Sequence, residues 1–219
     1  KEICELKKKY EFRILIDDAH GFGYMGPTGA GADEAQGCQK DIDLYFSTFV
    51  KSMGSIGAFI SGPKNVLKYL RYNVRSQIFA KSLPLLIVDG MLKRMEMVKA
   101  MPELREKLWH NVNRLQSGLK ERGFDIGHTN SPVTPIYMKG DVPEATQMVM
   151  DLRENYRIFC SIVVYPVIPK GDIIYRLIPT AAHNDADIDE TLKAFEETKK
   201  KLDAGAYKAV DIPDMAEAN

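Results

Sequence analysis

An α/β architecture is the fold class this sequence predicts, on three observations. Short apolar runs of strand length, such as Phe12 to Ile16 and Leu44 to Phe49, are bounded by polar residues. Longer segments with helical periodicity, notably 84–101, 103–122 and 188–202, alternate with them. A composition 45% hydrophobic and 27% charged over 219 residues is that of a folded soluble protein, with chain enough for one large or two smaller cores.

Residues 1–11 are polar and basic, and no element is assigned to them. Phe12-Arg13-Ile14-Leu15-Ile16 is a nearly continuous apolar run, as expected of a strand covered on both faces. From Gly21 to Gly37 six glycines and a proline predict a long loop. Leu44 to Phe49 and Ile56 to Ile60 are the next strands, the latter closed by Gly62-Pro63. Helices are predicted over 64–72 and over 84–101, with Pro84 where a first turn tolerates it. Pro102 interrupts the pattern, and Glu103 to Arg122 resumes it as an amphipathic helix stopped by Gly123. Val133 to Met138 then predicts a strand, Pro143 to Tyr156 a helix, Ile158 to Val164 and Ile173 to Ile178 two strands, and Ile188 to Leu202 a closing helix. A boundary near 95–105 divides the chain into domains over 1–100 and 101–203, followed by a polar, poorly packed tail over 204–219.

Thirty Lys and Arg balance thirty Asp and Glu, which argues against binding to nucleic acid or an anionic membrane surface. No apolar run approaches the roughly 18 to 20 residues of a membrane span. Cys4, Cys38 and Cys160 are odd in number and widely spaced, which predicts neither a disulfide framework nor a metal site and suits a reducing cytoplasm. The chain opens on Lys1, without an initiator Met or an apolar leader, and reads as trimmed.

Two strand ends carry candidate chemistry. Asp17-Asp18-Ala19-His20 follows the first strand, where open α/β sheets gather ligand groups; such residues also serve merely to cap a turn. Thr48-Phe49-Val50-Lys51-Ser52-Met53-Gly54 ends the second, and its apolar setting predicts a partly desolvated, nucleophilic Lys51. Taken alone, in a lysine-rich chain, Lys51 reads as a solvated surface residue. Parallel neighbouring strands would bring a carboxylate, an imidazole, a hydroxyl and an amine to one sheet edge. That set matches the demands of pyridoxal phosphate (PLP), which needs a lysine for its aldehyde and an acid for its pyridinium nitrogen. Gly21-Phe22-Gly23-Tyr24-Met25-Gly26 has the spacing of a dinucleotide-binding turn, but Pro27, Gly29 and Gly31 follow where a helix must open.

At these residues the sequence resembles the α-oxoamine synthases, PLP enzymes of the aspartate aminotransferase fold. The resemblance rests on Asp17 to Gly23 with Gly26 and Gly29-Ala30-Gly31, on Thr48 to Lys51, on Ile78 to Pro84 and on Ser131 to Pro135. It continues through Tyr165-Pro166-Val167-Ile168-Pro169-Lys170-Gly171 and Tyr175-Arg176-Leu177 to Thr180-Ala181-Ala182-His183, in family order. It implies the C-terminal part of a PLP-dependent transferase fold: the end of the large mixed-sheet domain and the small α/β domain. It further implies that Asp17 pairs with the ring nitrogen, His20 with the ring hydroxyl and Thr48 with the phosphate, and that Lys51 forms the Schiff base and moves a proton. Ser82 would reach the phosphate from a partner subunit, making a homodimer, and Arg176 would hold the amino-acid carboxylate. By spacing alone Arg176 is equally a surface strand arginine in an ordinary ion pair.

The family reaction joins an acyl-CoA to serine, glycine or alanine and releases CoA and carbon dioxide. The segments from Arg75 to Pro84 and from Tyr165 to Gly171 look most like the serine palmitoyltransferases of sphingolipid biosynthesis. The 8-amino-7-oxononanoate synthases of biotin biosynthesis and the glycine C-acetyltransferases are the alternatives, with an aminotransferase of the same fold behind them. The family's upstream region, with its ring-stacking residue and a further phosphate hydroxyl, is not in this sequence. The resemblance therefore implies that this chain alone is a poor catalyst, or else a non-catalytic folding or dimerisation module.

Overall fold

The computed structural model describes residues 1–138 and 140–208. The chain divides into two compact units, Lys1–Arg105 and Glu106–Asn219. No helix among the described residues is long and apolar enough to cross a membrane.

The first unit holds helix α1 (Glu2–Leu6), strand β1 (Leu15–Asp17), helix α2 (Ala32–Gln36), a 3-10 turn (Gln39–Asp41), strands β2 (Leu44–Thr48) and β3 (Ala58–Ser61), and helices α3 (Lys64–Asn73), α4 (Arg75–Phe79) and α5 (Leu85–Ala100). The strands lie in the order β1-β2-β3. β1 runs parallel to β2, and β3 returns antiparallel.

Three short helices lie where none was expected, α1, α2 and α4. α1 is held by tertiary contacts: Cys4 is buried, and the Lys7 ammonium bonds Asp43 Oδ2 and the Asp41 carbonyl, each at 2.5 Å. Asp43 in turn accepts from the Ile14 backbone N–H at 2.8 Å, so one carboxylate ties the N-terminal segment to the entrance of β1. α2 interrupts the glycine-rich loop between Gly31 at φ 134° and Gly37 at φ 65°, backbone states open to glycine at no steric cost. It begins six positions beyond Gly26 and is only five residues long.

The second unit contains most of α6 (Pro102–Glu121), then β4 (Thr134–Met138), α7 (Val142–Tyr156), β5 (Ser161–Val163), β6 (Ile173–Leu177) and α8 (Asp185–Asp203). Its sheet has the order β4-β6-β5 and is antiparallel throughout. Along β6, Ile173, Tyr175 and Leu177 are buried, and the intervening Ile174 and Arg176 lie on the other face, as a period of two dictates. The buried row packs with Leu119 of α6, Ile136 of β4, Met148 and Leu152 of α7, and Leu192 and Phe195 of α8. Each fully buried side chain of this size contributes about 1.5–3 kcal/mol. α7 and α8 each open on a reciprocal capping box, Asp141 with Glu144 and Asn184 with Asp187.

Tyr207 lies within the stretch expected to be poorly packed, yet it is buried in this core and donates to Asp151. Residues 209–219, the rest of that stretch, lie outside the described residues.

Candidate active site

The first unit's sheet has two unlike faces. Asp17 is in register with Phe46, and side chains of parallel neighbours in register point the same way. Thr48 is two residues beyond Phe46, so Asp17 and Thr48 share a face at the carboxyl ends of their strands. The opposite face carries Tyr45, Phe49 and Phe59: Phe49 stacks on Phe59 with ring centroids 5.3 Å apart, and Tyr45 lies tilted against Phe59 at 6.0 Å. Phe22 meets Phe59 edge-on at 5.0 Å, and Met91, Ile87 and Met95 of α5 pack against this aromatic group. The Asp17 face is open: Leu15 is 60% exposed, and Asp17 and Ala58 are also exposed. The expected covering of the first strand on both faces is thus found on one side only, because no described element of the unit lies over the other.

Asp17 and Asp18, adjacent in sequence, are separated by environment. Asp18 is buried, and its Oδ2 accepts from the Tyr45 hydroxyl at 2.7 Å and from the Ala32 N–H at 2.8 Å. Its carbonyl receives the N–H groups of Gly21 and Phe22 and the Ser47 hydroxyl, each at 3.1 Å. A Cβ on Gly21 would sit 2.1 Å from Asp18 Oδ1, and one on Gly31 2.2 Å from Oδ2, so both glycines admit the loop to this carboxylate. Burial raises the Tyr45 phenol's pKa, and its bond to Asp18 raises it further. Asp17 is exposed and accepts the Ala19 N–H at 3.1 Å, which turns the chain toward the exposed His20. One acid holds the loop and its neighbour is left facing outward.

Lys51 follows β2 in a turn closed by Gly54 N–H to the Lys51 carbonyl at 3.2 Å and Ser55 N–H to the Phe49 carbonyl at 2.9 Å. The expected desolvation is not found. Phe49 and Met53 turn inward, whereas Val50 and Lys51 project past the sheet edge and are exposed. No carboxylate among the described residues pairs with the Lys51 ammonium. Gly23, at φ 85°, lies against the next residue: a Cβ there would meet Ser52 Cβ at 2.5 Å. The loop that follows His20 and the turn that carries Lys51 are therefore in direct contact. The Ser52 Oγ at this contact is buried with no hydrogen-bond partner.

Thr48 Oγ1 donates to the Gly57 carbonyl at 3.0 Å, so its proton is directed inward rather than to the open face. Ser82 is exposed in the segment before α5, after Lys81 at φ 69°. The next residue anchors it, since Leu83 Cδ1 would be 2.7 Å from a Cβ on Gly57. Asp17, His20, Thr48, Lys51 and Ser82 thus belong to the first unit, and Arg176 to the second.

Arg176 is on β6, on the face turned away from Tyr175 and Leu177, and its Nε donates to Ser161 Oγ at 3.2 Å. The ordinary ion pair is absent: no carboxylate among the described residues lies within pairing distance of its guanidinium. A cavity of about 420 Å³ in this unit, bordered by Tyr156, Phe159, Ile178, His183 and Asp187, contains none of the six candidate residues. Among the described residues no three His, Cys, Asp or Glu side chains are grouped to hold a metal. Sequence reasoning missed Asp18 as the loop anchor, Tyr45 and Ser52 around the loop, and Ser161 beside Arg176. Each of these roles depends on contacts between distant segments.

The sequence model of the family described as aminotransferase class I and II matches residues 1–195. A cysteate-C-fatty acyltransferase of Capnocytophaga ochracea is 62% identical over 211 residues, covering 96% of this chain and 50% of that protein. A serine palmitoyltransferase of Bacteriovorax stolpii is 37% identical over 202 residues, 92% of this chain and 48% of that one. Among solved structures, SPT with a PLP internal aldimine aligns at a TM-score of 0.85 and 30% identity, over 92% of this chain and 51% of that chain. The chain spans about half the length of the curated relatives it matches.

Proposed function

Because the chain belongs to the aminotransferase class I and II family, we propose that it supplies the lysine, the ring-nitrogen acid and the carboxylate-binding arginine of a PLP-dependent enzyme that joins an acyl-CoA to a small amino acid with loss of carbon dioxide. The observation that carries this reading is the contact of Gly23 with Ser52, which sets the Asp17–His20 segment beside the Lys51 turn at one sheet edge. The residues fit the cofactor. Asp17 and Thr48 share an open face, Lys51 is solvent-accessible, and among the described residues its ammonium pairs with no carboxylate and the buried Ser52 hydroxyl has no partner.

When bound, PLP supplies an electron sink for negative charge at the substrate α-carbon. Asp17 would pair with the ring nitrogen, and the His20 imidazole would contact the ring hydroxyl. Thr48 donates to the phosphate once its hydroxyl turns away from Gly57. The Lys51 amine would hold the cofactor at its aldehyde and, when free, would carry the substrate α-proton. Arg176 holds the amino-acid carboxylate through its terminal nitrogens.

For the amino acid, the similarity of 62% to a cysteate-C-fatty acyltransferase against 37% to a serine palmitoyltransferase favours cysteate over serine. The functional unit we propose is a homodimer. Leu85 and Leu86, 84% and 81% exposed at the start of α5, and Phe79, 70% exposed, flank Ser82 with apolar surface suited to a partner subunit.

The test is CoA release by the full-length enzyme with a long-chain acyl-CoA and cysteate, serine, glycine or alanine in turn, without a keto acid. Release that requires one of these amino acids, with a borohydride-fixed adduct mapped to Lys51, is the expected result. Release independent of amino acid, or an adduct on another lysine, would overturn the reading. Turnover that requires a keto acid would assign the chain to an aminotransferase instead.

A further inference from the structure

We propose that Ser161 is a positioning residue for Arg176, fixing which edge of the guanidinium is presented to an amino-acid carboxylate; this rests on the role given to Arg176 above. Ser161 opens β5 directly across from Arg176 in the antiparallel register, and its Oγ accepts the Arg176 Nε–H at 3.2 Å. On the other flank the cross-strand neighbour is Pro135, whose ring carries no hydrogen-bonding group. Of its two directly opposed neighbours, the serine is therefore the one whose side chain can set the torsion of the guanidinium plane.

That bond has a stereochemical consequence. A guanidinium grips a carboxylate with two parallel N–H groups, either side-on through Nε and one Nη or end-on through both Nη atoms. With Nε committed to Ser161, the side-on grip is taken and the end-on fork is left. No described carboxylate competes for it. A long, flexible side chain on an open sheet face would otherwise sample many rotamers, and the serine removes part of the ordering cost before substrate arrives. The expected signature is a weaker hold on the amino acid with little change in the chemical step.

The experiment uses the full-length, PLP-loaded enzyme and compares wild type, Ser161→Ala, Ser161→Thr and Arg176→Ala. Steady-state constants are measured for both substrates, and amino-acid Kd by titrating the cofactor absorbance without acyl-CoA. Ser161→Ala should raise amino-acid KM and Kd roughly tenfold, the size of one hydrogen bond to a charged group. Its kcat should stay within about twofold, its acyl-CoA KM should be unchanged, and Ser161→Thr should restore the wild-type constants. An unchanged amino-acid Kd in Ser161→Ala, with a large rise in Arg176→Ala, overturns the role of Ser161 and leaves that of Arg176 standing. An unchanged Kd in Arg176→Ala overturns both. Loss of kcat and of affinity for both substrates alike, or no rescue by threonine, makes Ser161 a structural residue and overturns the proposal.

Discussion

The two units of this chain bury their apolar residues very differently. In the second, Leu119, Ile136, Met148, Leu152, Tyr175 and Phe195 are each essentially inaccessible, and three helices cover one face of a three-stranded sheet. In the first, the buried members of the core cluster are Phe49, Met53 and Met91, while Leu15, Tyr69, Tyr72, Phe79, Leu85 and Leu86 are each at least 60% exposed. Five of the six candidate residues belong to the less buried unit. The second unit satisfies its own hydrophobic demand and, on the proposed reading, adds Arg176 to the site. The first leaves a sheet face open, with the carboxylate of Asp17 on that face and the Lys51 amine past its edge, and an open face is what a planar ring and its substrate require.

The division of labour is broken most sharply at Lys51. In the full-length enzyme Lys51→Ala should lower kcat for CoA release by about a thousandfold or more, since it removes both the amine that captures the cofactor and the proton carrier. Thermal unfolding of the second unit should not change, because Lys51 is exposed and outside it. A Lys51→Ala enzyme retaining a tenth of its activity would move the site elsewhere.

Next in size is the packing contrast itself. Phe195 meets Phe124 and Tyr175 edge-on, at 5.9 and 6.3 Å, and is fully buried. Phe195→Ala should destabilise the second unit by about 3–5 kcal/mol in urea titrations. Leu86→Ala in the first unit, at a side chain 81% exposed in the single chain, should change stability by less than about 0.5 kcal/mol under conditions where the chain is monomeric. Equal losses at the two positions would mean that Leu86 is covered in solution.

Within the first unit the same contrast recurs between Asp18 and Asp17. Asp18→Asn keeps the size but weakens the bonds from Tyr45 and Ala32, and should cost about 1–3 kcal/mol of stability. Asp17→Asn should leave the melting temperature unchanged and lower kcat about a hundredfold, because the ring nitrogen loses its ionised partner. If Asp17→Asn unfolded the unit and Asp18→Asn silenced the enzyme, the two roles would be reversed.

The sequence made the strand ends legible because the runs Phe12 to Ile16 and Leu44 to Phe49 end beside Asp17 and Lys51, and β1 and β2 lie within a few residues of those spans. It could not separate Asp17 from Asp18, because the difference lies in Tyr45, Ala32 and Gly31, brought in by loop closure. α1 was illegible for a similar reason: its anchor pairs Lys7 with Asp43, 36 residues away. The desolvation expected of Lys51 failed because an apolar run predicts a buried strand but not which way the turn after it points. The partner of Arg176 needed the β5–β6 register, which a three-residue strand does not announce in its sequence.

The smallest expected effect lies in the well-packed unit and concerns acid. Burial favours the neutral form of Asp151, but hydrogen bonds from Lys201, Tyr207 and Asn155 outweigh it and hold the carboxyl below the usual carboxylate range. A depressed folded-state pKa contributes stability that is fully present above the unfolded value, about 3.9, and is lost as pH falls through the folded value. Asp151→Asn removes that titration. Its unfolding free energy should fall less between pH 7 and pH 3 than that of the wild-type chain. Parallel acid limbs for Asp151→Asn and wild type would show that the Lys201–Asp151–Tyr207 link does not persist in solution.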